Sequence, residues 1–82
     1  MTTHPRRSAR LLPAPAPDDI RAARAAAGHS QSQACVVIAV PVRRWEAWEQ
    51  GERPMLPALL QLYLLLTGQT TVAQARRALA AS

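Results

Sequence analysis

Eighty-two residues, 49% of them apolar, make one small domain with a modest core, and the longest apolar run, LYLLL, is too short to span a bilayer. All ten cations are arginine against five acids, a formal charge of +5 that favours a nucleic-acid partner, although GC-rich coding also produces lysine-free, alanine-rich usage. The single cysteine, Cys35, excludes an internal disulfide; no Cys/His cluster has zinc spacing, so neither metal nor cofactor is expected, and an apolar Cys35 fits the core of a cytoplasmic protein.

Residues 1–16, MTTHPRRSARLLPAPA, hold three prolines and three arginines with little periodicity. They read as a basic, extended arm, equally suited to lie along DNA or to be a solvated terminus. PAPAP follows the charges where a secretory signal would need an apolar stretch, so no signal is expected. Pro17-Asp18-Asp19 opens a first helix, because proline suits the first helical position and acids complement the dipole there. The alanine-rich IRAARAAA continues it and Gly28 ends it. Ile20, Ala23 and Ala27 make its thin apolar stripe, and Arg24 beside them needs a partner.

Ser30-Gln31-Ser32-Gln33 has the form of a capping box, which starts a second helix. The β-branched ACVVIAV that follows also suits a buried strand. A lone strand would leave its backbone groups unpaired in a chain with no second strand candidate, so helix is expected. A third helix runs from about Pro41 to Gln50 and stops at Gly51. At roughly 100° per residue, Pro41, Arg44, Trp45 and Trp48 fall on one side of it, and Val42, Arg43, Glu46, Ala47 and Gln50 on the other. The two tryptophans are two of only three aromatic residues, so their side must face the core. The opposite side, with an arginine, short side chains and a glutamine, is shaped to enter a groove.

Pro54 and Pro57 punctuate the next loop, and PALLQLYLLL forms a fourth helix over 57–66, stopping near Gly68. Thr71-Val72-Ala73-Gln74 is a second capping box, opening a last helix to about Ala80. The expected architecture is all-α, five short helices without a sheet, with Ile20, Cys35, Ile38, Trp45, Trp48, Leu59 and Leu62 in the core. The fourth helix is apolar almost all round, and the last adds a Val72, Ala75, Leu79 stripe. Both are therefore expected to meet a second copy through Tyr63, Leu66, Val72 and Leu79, although the stripe could also fold back on its own domain.

Two helices joined by Ile38-Ala39-Val40 form a helix-turn-helix. Over residues 17–68 the chain resembles the lambda-repressor and Cro-type, xenobiotic-response-element-like family. The resemblance rests on IRAARAAAG, SQSQACVVIAV and RRWEAWEQGERPM, with WEQGERPM its most specific piece. It implies a lambda-repressor-like domain in which Val42, Arg43 and Ala47 match the base readers, with Glu46 and Arg44 nearby. Ser30, Gln31, Arg44, Gln50 and Arg53 would meet phosphates, and Arg24 would pair with Glu49. The sequence departs from the family at three places. Ala39 stands where the turn usually has glycine, Pro41 where a serine or threonine usually caps, and His29 where leucine usually staples onto the next helix. Val36, which should face outward on the second helix, has no evident reason.

The resemblance implies a repressor that binds an inverted-repeat operator in double-stranded DNA as a homodimer. Small proteins of this plan autoregulate phage, plasmid or toxin–antitoxin operons, and anti-CRISPR-associated regulators share it. A helix-turn-helix module reused for protein binding, as in an antitoxin or adaptor, is the alternative. Catalysis is not expected: the sequence has no nucleophile with a base and no phosphate-cradling glycine loop, and Glu46, Glu49 and Glu52 read as a solvated or salt-bridged helix face.

Overall fold

The computed structural model describes residues 12–80, so most of the N-terminal arm, including its arginines, lies outside the described residues. Among the described residues the protein is all-helical: α1 Pro17–Ala27, α2 Gln31–Val37, α3 Val42–Gln50, α4 Pro57–Leu66 and α5 Val72–Ala80. Local chemistry accounts for the ends. Pro17 and Pro57 sit in the first turns of α1 and α4, where a missing N–H costs nothing. Ser30 Oγ accepts from Gln33 N at 3.1 Å while Gln33 Oε1 accepts from Ser30 N at 2.8 Å, and Thr71 and Gln74 repeat the exchange before α5. Gly28 and Gly51 end α1 and α3 with φ of 72° and 76°, a conformation that costs glycine nothing. The ACVVIAV stretch is helical up to Val37.

α3 packs against both α1 and α2, and α5 packs against α4. At the centre Trp45 meets Trp48 edge-on, ring centroids 5.7 Å apart, and Tyr63 at 4.9 Å. Ile20, Ala23, Ala34, Cys35, Ile38 and Met55 close the core round these rings. Leu59 packs on it while only partly buried.

Two expectations about α4 are corrected. Leu62 is 39% exposed and so lies outside the core, and Tyr63, expected at a dimer contact, is 0% exposed and cannot reach a partner. A helix apolar all round has no preferred face of its own. Here the inward face carries Leu59, Leu60, Tyr63 and Leu64, which turns Leu62 and Leu66 outward at i, i+4 spacing. The hydroxyl of Tyr63 lies 2.8 Å from Nδ1 of the half-buried His29, which gives the buried hydroxyl a partner. His29 thereby ties the α1–α2 connection to α4 by a hydrogen bond. Val36 is 73% exposed, and nothing in the structure explains it.

The α2–α3 turn is closed by Ala39 N donating to Val36 O and Val40 N to Cys35 O, at 3.1 and 3.0 Å. It requires φ of 57° at Ala39, a left-handed conformation that strains any residue with a Cβ. Relief of about 1–2 kcal/mol of strain exceeds the extra chain entropy of glycine, about 0.5–1 kcal/mol. Ala39→Gly is therefore expected to stabilise the domain by about 0.5–1 kcal/mol, read as a higher urea midpoint at unchanged slope. An unchanged or lower midpoint would mean that the turn stores no strain.

Candidate nucleic-acid interface

The position of α3 is set by one buried carboxylate. Glu49 is 3% exposed and accepts four hydrogen bonds. Arg24 of α1 grips it with two, Nε to Oε2 at 2.6 Å and Nη2 to Oε1 at 3.0 Å. Trp45, one turn earlier on α3, donates Nε1 to Oε2 at 2.5 Å, and Gln31 of α2 donates Nε2 to Oε1 at 3.0 Å. Burial alone would raise the pKa of Glu49, but the hydrogen bonds from Arg24, Trp45 and Gln31, with the Arg24 charge, outweigh it and hold the pKa below the usual carboxylate value. The same hydrogen bond holds the Arg24 pKa above its usual value against the opposing effect of burial. Arg24 also donates Nη1 to the carbonyl of His29 at 3.2 Å. Arg21, itself paired with Asp18, donates to the Glu49 carbonyl at 2.8 Å. Three helices are thus fastened at one carboxyl group, and the arrangement fixes the angle at which α3 leaves the domain.

With its tryptophan side held in this way, α3 turns Arg43, Arg44 and Gln50 outward and exposed, and leaves Glu46 and Ala47 half-buried. Arg53, just beyond the helix, is also exposed. Pro41, Arg43, Arg44, Ala47 and Arg53 together line a hollow on this surface. A neighbouring hollow shares Arg44 and Arg53 and is completed by Trp48, Pro54, Leu56 and Leu59. Three arginines and two short apolar side chains therefore share one lining.

Several expected roles change in this geometry. Val42, assigned to the outer side, is half-buried and packs on the core, because it begins the helix directly above the α2–α3 turn. Arg44, assigned to the tryptophan side, is exposed; a stem of that length carries its charge out to water. Gln31, expected to hold a phosphate, has its amide turned onto Glu49, an acceptor that stays ionised and so fixes which end of the amide faces inward. The hydroxyl of Ser30 is occupied in capping α2. Sequence reasoning missed Trp45 and Arg21 as partners of Glu49, and Pro41 as a surface residue. The Trp45–Glu49 contact is legible as an i, i+4 pair on one helix, although the bulk of Trp45 by itself points only to the core. Arg21 and Gln31 carry no such local signal, since their partner lies 28 and 18 residues away.

Comparison with protein-family models, with curated proteins and with solved structures finds no match for this chain.

Proposed function

We propose that the protein is a sequence-specific repressor that binds double-stranded DNA, with α2 and α3 as a helix-turn-helix of the lambda-repressor type. The observation that carries this is the two-sidedness of α3: the Glu49 network and the tryptophans hold one side, while Arg43, Arg44, Gln50 and the adjoining Arg53 stand free on the other. A major groove admits a helix presenting such a side, and arginine recognises both phosphates and guanine edges. Arg43 and Glu46 are assigned to bases, and Arg44, Gln50 and Arg53 to phosphates. The basic, arginine-only surface fits an autoregulator of a small operon in the cytoplasm. Among the described residues no helix is long and apolar enough to cross a membrane. A gel-shift titration against the duplex upstream of its own gene tests this, with retardation that survives excess unrelated DNA expected. Equal affinity for unrelated duplexes would reject sequence-specific repression.

The same reading makes the protein a homodimer on an inverted repeat. Leu62 and Leu66 of α4 and Val72 and Leu79 of α5 are all exposed. Apolar surface of this kind on two packed helices is what a two-fold contact covers. Sedimentation is expected to give a dimer at tens of micromolar, on the order of the concentrations at which weak dimers form. Only monomer there would reject self-association.

A protein-binding module, such as an antitoxin or adaptor, is the second reading, and the exposed Val36 and Leu56 favour it. Binding to a protein with no preference for any duplex would put it first.

A further inference from the structure

The hollow on the outer side of α3 limits which base can be read there, and the limit follows from the residues lining it. Pro41 and Ala47 are its apolar members. Pro41 stands at the N-cap of α3, where its ring offers no N–H, and Ala47 offers nothing beyond a methyl group. Arg43, Arg44 and Arg53 complete the lining, so its side chains bring hydrogen-bond donors and no acceptor. Glu46, the one acidic side chain within α3 that is not buried, is not part of this lining. Val42, the other apolar residue at this end of α3, is drawn onto the core.

The major-groove edges of the bases can be matched against such a lining. Cytosine presents an amino donor and adenine a donor beside an acceptor, which arginines cannot satisfy in full. Guanine presents two acceptors, the complement of one guanidinium group. Thymine presents an acceptor, O4, beside an apolar C5-methyl group. A hollow that combines two short apolar side chains with arginine donors is the complement of that thymine edge, and Arg43, on the outward side of α3, is placed to take an adjoining guanine.

We propose that the hollow takes the C5-methyl group of a thymine next to the guanine contacted by Arg43, so that each half-site carries a thymine–guanine step. The assignment rests on the DNA-binding reading above and makes Pro41 and Ala47 specificity-determining residues. Arg44 and Arg53, shared with the neighbouring hollow, hold the phosphates on either side and set the depth at which the methyl group enters. A methyl group at C5 could equally belong to 5-methylcytosine. That base puts an amino donor where thymine has O4, facing the guanidinium groups, so thymine is the better fit.

The full-length protein is tested first by selection from a random duplex library, then with single-base analogues in the selected site. Deoxyuridine in place of the critical thymine removes only the methyl group and is expected to weaken binding roughly three- to tenfold per half-site. 5-Methyldeoxycytidine at that position is expected to bind less well than thymine. Ala47→Ser and Pro41→Ser put a hydroxyl group where the methyl would sit. In each variant the deoxyuridine penalty is expected to fall below twofold, with unchanged circular dichroism showing that the fold survives. The melting temperature of Pro41→Ser should be no lower than that of the parent, since a serine at the N-cap strengthens α3. A selected site in which deoxyuridine binds as tightly as thymine at every position would overturn the methyl contact and leave the DNA reading standing. A penalty that persists in both serine variants would place the contact elsewhere, and 5-methyldeoxycytidine binding as well as thymine would overturn the choice of thymine. A library that yields no preferred duplex would overturn the DNA reading and this assignment together.

Discussion

Glu49→Ala is expected to destabilise the domain by about 3–5 kcal/mol, because it leaves Arg24 charged and part-buried with no counter-ion, holding only the His29 carbonyl. It also leaves the indole N–H of Trp45 unpaired at the centre of the core. In a domain of this size each kcal/mol moves the melting temperature by roughly 4–8 °C, so the expected loss is at least about 12 °C. Glu52→Ala is the control: three residues further on and exposed, it should cost no more than about 0.5 kcal/mol. Equal, small effects from the two substitutions would show that the Arg24–Glu49 pair does not hold the fold.

The same carboxylate gives a pH dependence of known sign. Because the folded state holds the pKa of Glu49 below its unfolded value, the unfolded chain binds more protons in acid, and stability rises with pH through that range. The contribution is complete above the ordinary carboxylate pKa of about 4.3 and is lost as pH falls through the lower folded value. In Glu49→Ala that acid limb should flatten, leaving only what other carboxylates contribute.

Arg43→Ala is expected to cost about 1–3 kcal/mol per half-site, twice over in a dimer, and to relax the preference at one guanine. Arg44→Ala should instead weaken binding to all duplexes alike and make the salt dependence shallower by about one counterion per site. The two differ because a base contact distinguishes sequences whereas a phosphate contact only neutralises charge. Half-sites should lie about one helical turn apart in an inverted repeat. Affinity for a panel of operator variants at several salt concentrations separates these outcomes. Full guanine discrimination retained in Arg43→Ala would move the reading face away from Arg43.

What could be read directly from the sequence was local. Both capping boxes, the prolines that start α1 and α4, and the glycines after α1 and α3 act through contacts three or four residues apart, so their chemistry is written in adjacent letters. The inward side of α3 was legible for the same reason, since two tryptophans at i, i+3 spacing leave a small chain no other way to bury its largest side chains. Tertiary structure alone decided three things. It chose the face of α4 that turns inward, because a helix apolar on all sides takes its orientation from what it meets, here Trp45 against Tyr63. It turned the amide of Gln31 onto Glu49, because a buried carboxylate draws in every donor within reach, whatever the separation along the chain. And it drew Val42 onto the core while leaving Pro41 outside, because the strained turn at Ala39 sets where the first residues of α3 lie, and no pattern of hydrophobicity encodes that angle.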